Sequence, residues 1–187
     1  MTNFEKKLIG NIVPIPSFYK RNLDIDLNNL KVFLEFQLKF NVKNFYLALA
    51  ASEFEFMSEH ERLKITKFVS DLIPKDCVLI SQPIGSGSIN SQIEEGMKMI
   101  DAGSNALVIK PQSLKENANF FICKYLNRSY SPNKHDDFYI DYIEQFAEKI
   151  KKPLIYHDQP FSNGLGLPLK TIKTLIKNKY IKAFKVH

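Results

Sequence analysis

Tyr156 and Lys185 are the residues of this chain best suited to covalent carbonyl chemistry. Each closes a short apolar run that follows a helix-like stretch, Pro153-Leu-Ile-Tyr156 and Ile181-Lys-Ala-Phe-Lys185. That spacing suits the carboxyl ends of neighbouring parallel strands. An amine attacks a ketone only when unprotonated, and a free lysine, with a pKa of about 10.4, is almost fully charged at pH 7. Burial disfavours the ammonium and lowers that pKa, which turns a lysine into a nucleophile. The resulting imine is an electron sink, so the adjacent carbon can gain or lose a bond as a carbanion equivalent. A phenol such as that of Tyr156 can donate and accept the protons these steps need.

Such groups need a scaffold, and the apolar pattern describes one. Strand-like runs are expected at Leu8 to Ile15, Phe45 to Ala50, Val78 to Ile80, Ala106 to Ile109, Leu154 to Tyr156 and Ile181 to Lys185. Helical stripes fall between them. The first is Leu27, Leu30, Leu34 and Leu38 after Asp26; the second is Ile65, Phe68, Val69 and Leu72, opened by the capping box Ser58-x-x-Glu61. The third is Ile89, Ile93, Met97 and Ile100, stopped by Gly103. Tyr139, Ile143, Phe146 and Ile150 make a fourth, and Leu169, Ile172 and Ile176 a fifth behind Pro168. A short helix is expected near Asn117 to Tyr125, because Gln112 to Asp137 is too long for a structureless loop. Strands alternating with helices predict a parallel sheet with helical crossovers.

With 187 residues the chain reads as a single domain over 1–187, long enough to bury about 70% of its unfolded surface. No apolar run approaches the roughly 20 residues that span a bilayer, and the start lacks a signal-peptide core. Cys77 and Cys123 have no ligand-like spacing and read as free thiols of a cytoplasmic protein. The net charge of +6 comes from lysines spread among acids, so it argues for solubility rather than nucleic-acid binding. No membrane or nucleic-acid partner is expected, and neither is a metal: His157 and Asp158 are adjacent on a strand and face opposite ways.

Taken together, six β/α steps with a tyrosine ending the fifth strand and a lysine ending the sixth resemble the dihydrodipicolinate synthase and N-acetylneuraminate lyase family. Further matching stretches are Gly10-Asn-Ile-Val-Pro-Ile-Pro16, Glu53 to Arg62, Gly85-Ser-Gly87, Ala102-Gly103-Ser-Asn-Ala106 and Lys110-Pro111. The resemblance implies a TIM (β/α)8 barrel with its site at the carboxyl-terminal face. It further implies a lyase or synthase that makes or breaks a carbon–carbon bond of a pyruvate-like 2-keto acid, without a cofactor. Lys185 would be the Schiff-base nucleophile, Tyr156 the proton shuttle, and Ala51 with Ser52 the groups that hold the keto-acid carboxylate. A complete barrel has about 250 residues, so the chain is expected to be a fragment ending after strand six, able to form a homo-oligomer if the full barrel exists.

The chain departs from the family pattern in several places. Where the family has Gly-Thr-Thr-Gly-Glu, this chain has Leu49-Ala-Ala-Ser-Glu53, so both relay hydroxyls are missing and only backbone amides and the Ser52 hydroxyl are left for a carboxylate. Pro111-Gln112-Ser113 replaces Pro-Tyr-Tyr, and no arginine stands near Ser162. The fifth strand is one residue longer than the common pattern, which brings His157 or Asp158 where a neighbour is expected. These losses define the alternative reading, a catalytically degenerate member acting as a binding or assembly module.

Overall fold

The computed structural model describes residues 3–48, 50–84, 88–110, 132–158 and 169–186. The Gly85-Ser-Gly87 and Gly164–Gly166 turns, Gln112-Ser113, the helix expected near Asn117 to Tyr125, and Cys123 lie outside them. The elements are α1 (Asn3–Lys7), β1 (Ile12–Pro14), α2 (Leu27–Lys39), β2 (Asn44–Leu47), a 3-10 turn (Phe54–Phe56), α3 (Glu59–Leu72), β3 (Val78–Ser81), α4 (Ile89–Asp101), β4 (Ala106–Ile109), α5 (Pro132–Ile150), β5 (Leu154–Asp158), α6 (Leu169–Leu175) and β6 (Ile181–Val186). Sheet order follows the chain from β1 to β6. The described pairings β1/β2, β2/β3, β3/β4 and β5/β6 are all parallel, as the alternation of strand and helix predicts. No helix among the described residues is long and apolar enough to cross a membrane.

The chain packs as two compact units, Met1–Ile84 with Glu94–Leu107 and Gly85–Ile93 with Val108–His187. In the first, β2 and β3 are buried at every position, as expected of strands covered on both faces. Asp26 caps α2 by accepting the amides of Asn28 and Asn29, and Leu30 and Leu34 carry its buried stripe. The Ser58/Glu61 capping box forms on α3 as expected. Four polar links tie this unit together. Arg62 on α3 meets Glu95 on α4 at 2.7 Å. The other Glu95 oxygen accepts the Ile84 amide at 2.9 Å, and Arg62 also donates to the Met57 and Phe54 carbonyls. The Asn105 side chain and amide pair with the amide and carbonyl of Leu79 at 2.7 and 2.8 Å. Ser81 and Ser104 share a hydroxyl bond at 2.6 Å, and the Tyr46 hydroxyl donates to Gln82 Oε1.

In the second unit, Tyr142, Ile143, Phe146, Ala147 and Ile150 bury one face of α5, and the Tyr142 hydroxyl donates to Gln92 Oε1 at 2.6 Å. β5 is buried from Leu154 to His157.

Three expectations about elements and faces need correction. β1 is only Ile12–Pro14, because α1 takes Asn3–Lys7 and Gly10 turns at φ +86. The buried face of α4 runs through Gln92, Ile93, Glu95 and Met99, while Met97 is exposed. Gln92 and Glu95 go inside because each meets a partner there. On α6 the buried residues are Thr171 and Leu175, with Leu169 and Ile176 exposed. Gly103 ends α4 with φ +112, and a Cβ there would lie 1.9 Å from the Ser70 hydroxyl, so both backbone and space demand glycine.

Candidate functional site

Within the second unit, the carboxyl ends of β5 and β6 bring the chemistry-bearing residues into register. Leu154 stands opposite Ile181. The pairing then skips Lys182, so that Ile155 faces Ala183, Tyr156 faces Phe184, His157 faces Lys185 and Asp158 faces Val186. Paired residues of parallel strands share a sheet face, and successive residues alternate faces. Lys185 therefore shares its face with His157, and Ile155 and Ala183 lie behind them. Tyr156 shares the opposite face with Phe184: it is 1% exposed, with ring centroids 6.0 Å apart and planes tilted 52°, an aromatic packing geometry. Of the two residues expected to act together, the fold sets Lys185 on one face and Tyr156 on the other.

Lys185 is half-buried. Burial holds its ammonium below the ordinary lysine range, and the charge of Lys110 pushes the same way. Lys110 follows β4 directly. It was legible in the sequence as a lysine closing an apolar strand, in the manner of Lys185, although nothing in sequence alone relates the two. His157 is 6% exposed, an unusual setting for an imidazole on a strand end.

Ala51 and Ser52 lie in the first unit, on the turn after β2. Ala51 is exposed, whereas Ser52 is 1% exposed and fully engaged. The Ser52 amide donates to the Ala48 carbonyl at 3.1 Å. Its hydroxyl accepts the Ala48 amide at 2.9 Å and donates to the Ile15 carbonyl at 2.5 Å, while its own carbonyl accepts the Ser17 hydroxyl. Glu53 follows in the left-handed region at φ +53. Ser52 thus stitches the turn to the residues after β1 and β2.

Comparison with known proteins gives relatives of one kind. The 4-hydroxy-tetrahydrodipicolinate synthase of Brachyspira hyodysenteriae is 24% identical over 187 residues, which is 99% of this chain and 56% of that protein. Dihydrodipicolinate synthase from Acinetobacter baumannii, solved with pyruvate, matches with a TM-score of 0.76 at 19% identity, over 95% of this chain and 55% of that one. N-acetylneuraminate lyase from Fusobacterium nucleatum, also with pyruvate, gives 0.74 at 19% identity, over 96% and 55%. In sequence and in fold the chain is similar to the dihydrodipicolinate synthase and N-acetylneuraminate lyase family. A catalytic lysine mutant of Ruminococcus gnavus sialic acid aldolase also matches, at a TM-score of 0.76 and 15% identity, over 100% and 55%. The fold is accordingly α/β, about six β/α units of a TIM (β/α)8 barrel. The chain spans about half the length of these relatives. No family model matches.

Proposed function

We propose that this chain makes or breaks a carbon–carbon bond of a pyruvate-like 2-keto acid through an imine on Lys185. The observation that carries the reading is a half-buried lysine, its ammonium disfavoured by burial and by Lys110, closing the sixth strand of a sheet shared with lyases and synthases. Two of those relatives are solved with pyruvate and a third as a catalytic lysine mutant, which supports both the ligand class and the residue type. The neutral amine adds to the keto carbon, water leaves, and the iminium draws electrons from the neighbouring carbon.

The test is borohydride reduction of the 187-residue chain with pyruvate, followed by peptide mass spectrometry. A reduced pyruvyl adduct on Lys185, absent from Lys185→Met, is the expected result. An unmodified Lys185 in folded protein, or an adduct spread over surface lysines, rejects the reading.

A further inference from the structure

We propose that the turns leading into β5 and β6 form a cationic surface that docks the phosphate backbone of a nucleic acid, independently of the imine reading. As far as residue 148 lysines mix with acids, and the acids slightly outnumber the basic residues. Residues 149–187 carry nine lysines and one acid, Asp158. The net positive charge of the chain therefore belongs to this stretch, which corrects the even mixing expected from the sequence. The fold gathers four of these lysines at one end of two strands. Lys151 and Lys152 lie between α5 and β5, and Lys177 and Lys179 between α6 and β6. Leu154 is paired with Ile181, and the Leu154 amide donates to the Tyr180 carbonyl at 2.8 Å, so the two turns run side by side. Lys152 and Lys179 each stand two residues before that pair, on strands whose axes are about 4.8 Å apart. All four lysines are exposed.

In the first unit Lys31, Lys43, Lys67 and Lys98 each meet a carboxylate. Among the described residues none of the four turn lysines takes part in an ion pair, and Lys179 lies over the Tyr180 ring at 5.0 Å. The nearest acid before them in the chain is Glu148, in the last turn of α5. Lys149 and Lys173 sit in the last turns of α5 and α6, where a cation answers the helix carbonyls. That account does not extend to Lys152 and Lys179, which lie outside both helices. Lys151 is held in the left-handed region at φ 51, a helix-ending position where glycine would cost least. An exposed row of point charges suits a long polyanion, whereas a small anion needs an enclosed site with converging donors. A nucleic acid presents one charge about every 3.4 Å along each strand, close enough for neighbouring lysines to meet neighbouring phosphates. All nine basic residues are lysines, which contact phosphate as point charges and lack the arginine fork that reads a base edge. Binding without sequence preference follows. An anionic membrane fits less well: among the described residues Ile176 is the one large exposed hydrophobic beside these turns, and interfacial docking needs an apolar face.

The test is fluorescence anisotropy of the 187-residue chain with a labelled, mixed-sequence DNA duplex of about 20 base pairs over a range of salt. The logarithm of affinity is expected to fall against that of salt with a slope of about −4, the value for four phosphate contacts. The fourfold variant Lys151→Gln, Lys152→Gln, Lys177→Gln and Lys179→Gln is expected to lose at least about tenfold in affinity at low salt, and most of the slope. Lys→Arg at the same four positions keeps the charge and is expected to keep both. A control of equal charge, Lys31→Gln, Lys39→Gln, Lys64→Gln and Lys67→Gln, alters exposed lysines elsewhere and is expected to bind within about twofold of the unmutated chain. Equal losses in the two glutamine variants would assign binding to net charge and overturn the surface. Absence of binding at low salt, or a flat salt dependence, overturns it as well. Tighter binding to vesicles of phosphatidylserine and phosphatidylcholine than to the duplex overturns the nucleic acid as occupant in favour of a membrane.

Discussion

Charged groups are used in opposite ways in the two compact units. In the first, buried Arg62 meets buried Glu95 at 2.7 Å, and their remaining hydrogen-bonding capacity goes to Met57, Phe54 and Ile84. In the second, Lys185 carries a burial penalty and feels the like charge of Lys110. The first arrangement satisfies every charge it buries and holds helices together. The second opposes folding, and that penalty is the physical basis of the imine proposal. The uncharged polar side chains of the first unit follow the same pattern: Ser52, Tyr46, Ser81 and Asn105 are each engaged within it.

Mutations can break or sharpen this contrast. The largest expected effect is on the ion pair: Arg62→Met leaves Glu95 buried without its partner and should lower stability by about 3–5 kcal/mol in urea denaturation. The double change Arg62→Met with Glu95→Leu should recover most of the loss, and failure to recover would mean that the pair does more than neutralise itself. Ser52→Ala removes one acceptor and one donor from buried backbone groups and should destabilise by about 1–3 kcal/mol. Lys110→Met should act with the opposite sign. The depressed Lys185 pKa means that folding is opposed below that pKa and favoured as pH rises through it towards the unfolded value. Removing Lys110 raises the pKa, so stability near pH 7 should increase slightly while borohydride trapping weakens and its pH midpoint moves upward. An unchanged trapping midpoint would remove Lys110 from the site.

Much of the scaffold could be read directly. β4 coincides with its predicted run, β3 gains one residue, and the caps at Asp26 and Ser58 form as their side chains dictate. Helix faces were less legible, because apolar spacing does not show that Gln92 and Glu95 find partners inside while Met97 turns outward. The hardest feature to read was which strand-five residue shares a sheet face with Lys185. Tyr156 and His157 are both buried, so exposure does not mark the inner face. Counting alternation from the opposed starts Leu154 and Ile181 puts Tyr156 on the Lys185 face, and only the skipped Lys182 reverses that.

The skip at Lys182 also bears on how such a site can change over generations. With Tyr and His adjacent on one strand, the pairing offset alone selects which side chain shares the lysine's face. A single codon gained or lost near the start of either strand would exchange phenol for imidazole without substituting either residue. For these strands, insertion and deletion form a mutational route to a new face that an inventory of point substitutions does not contain.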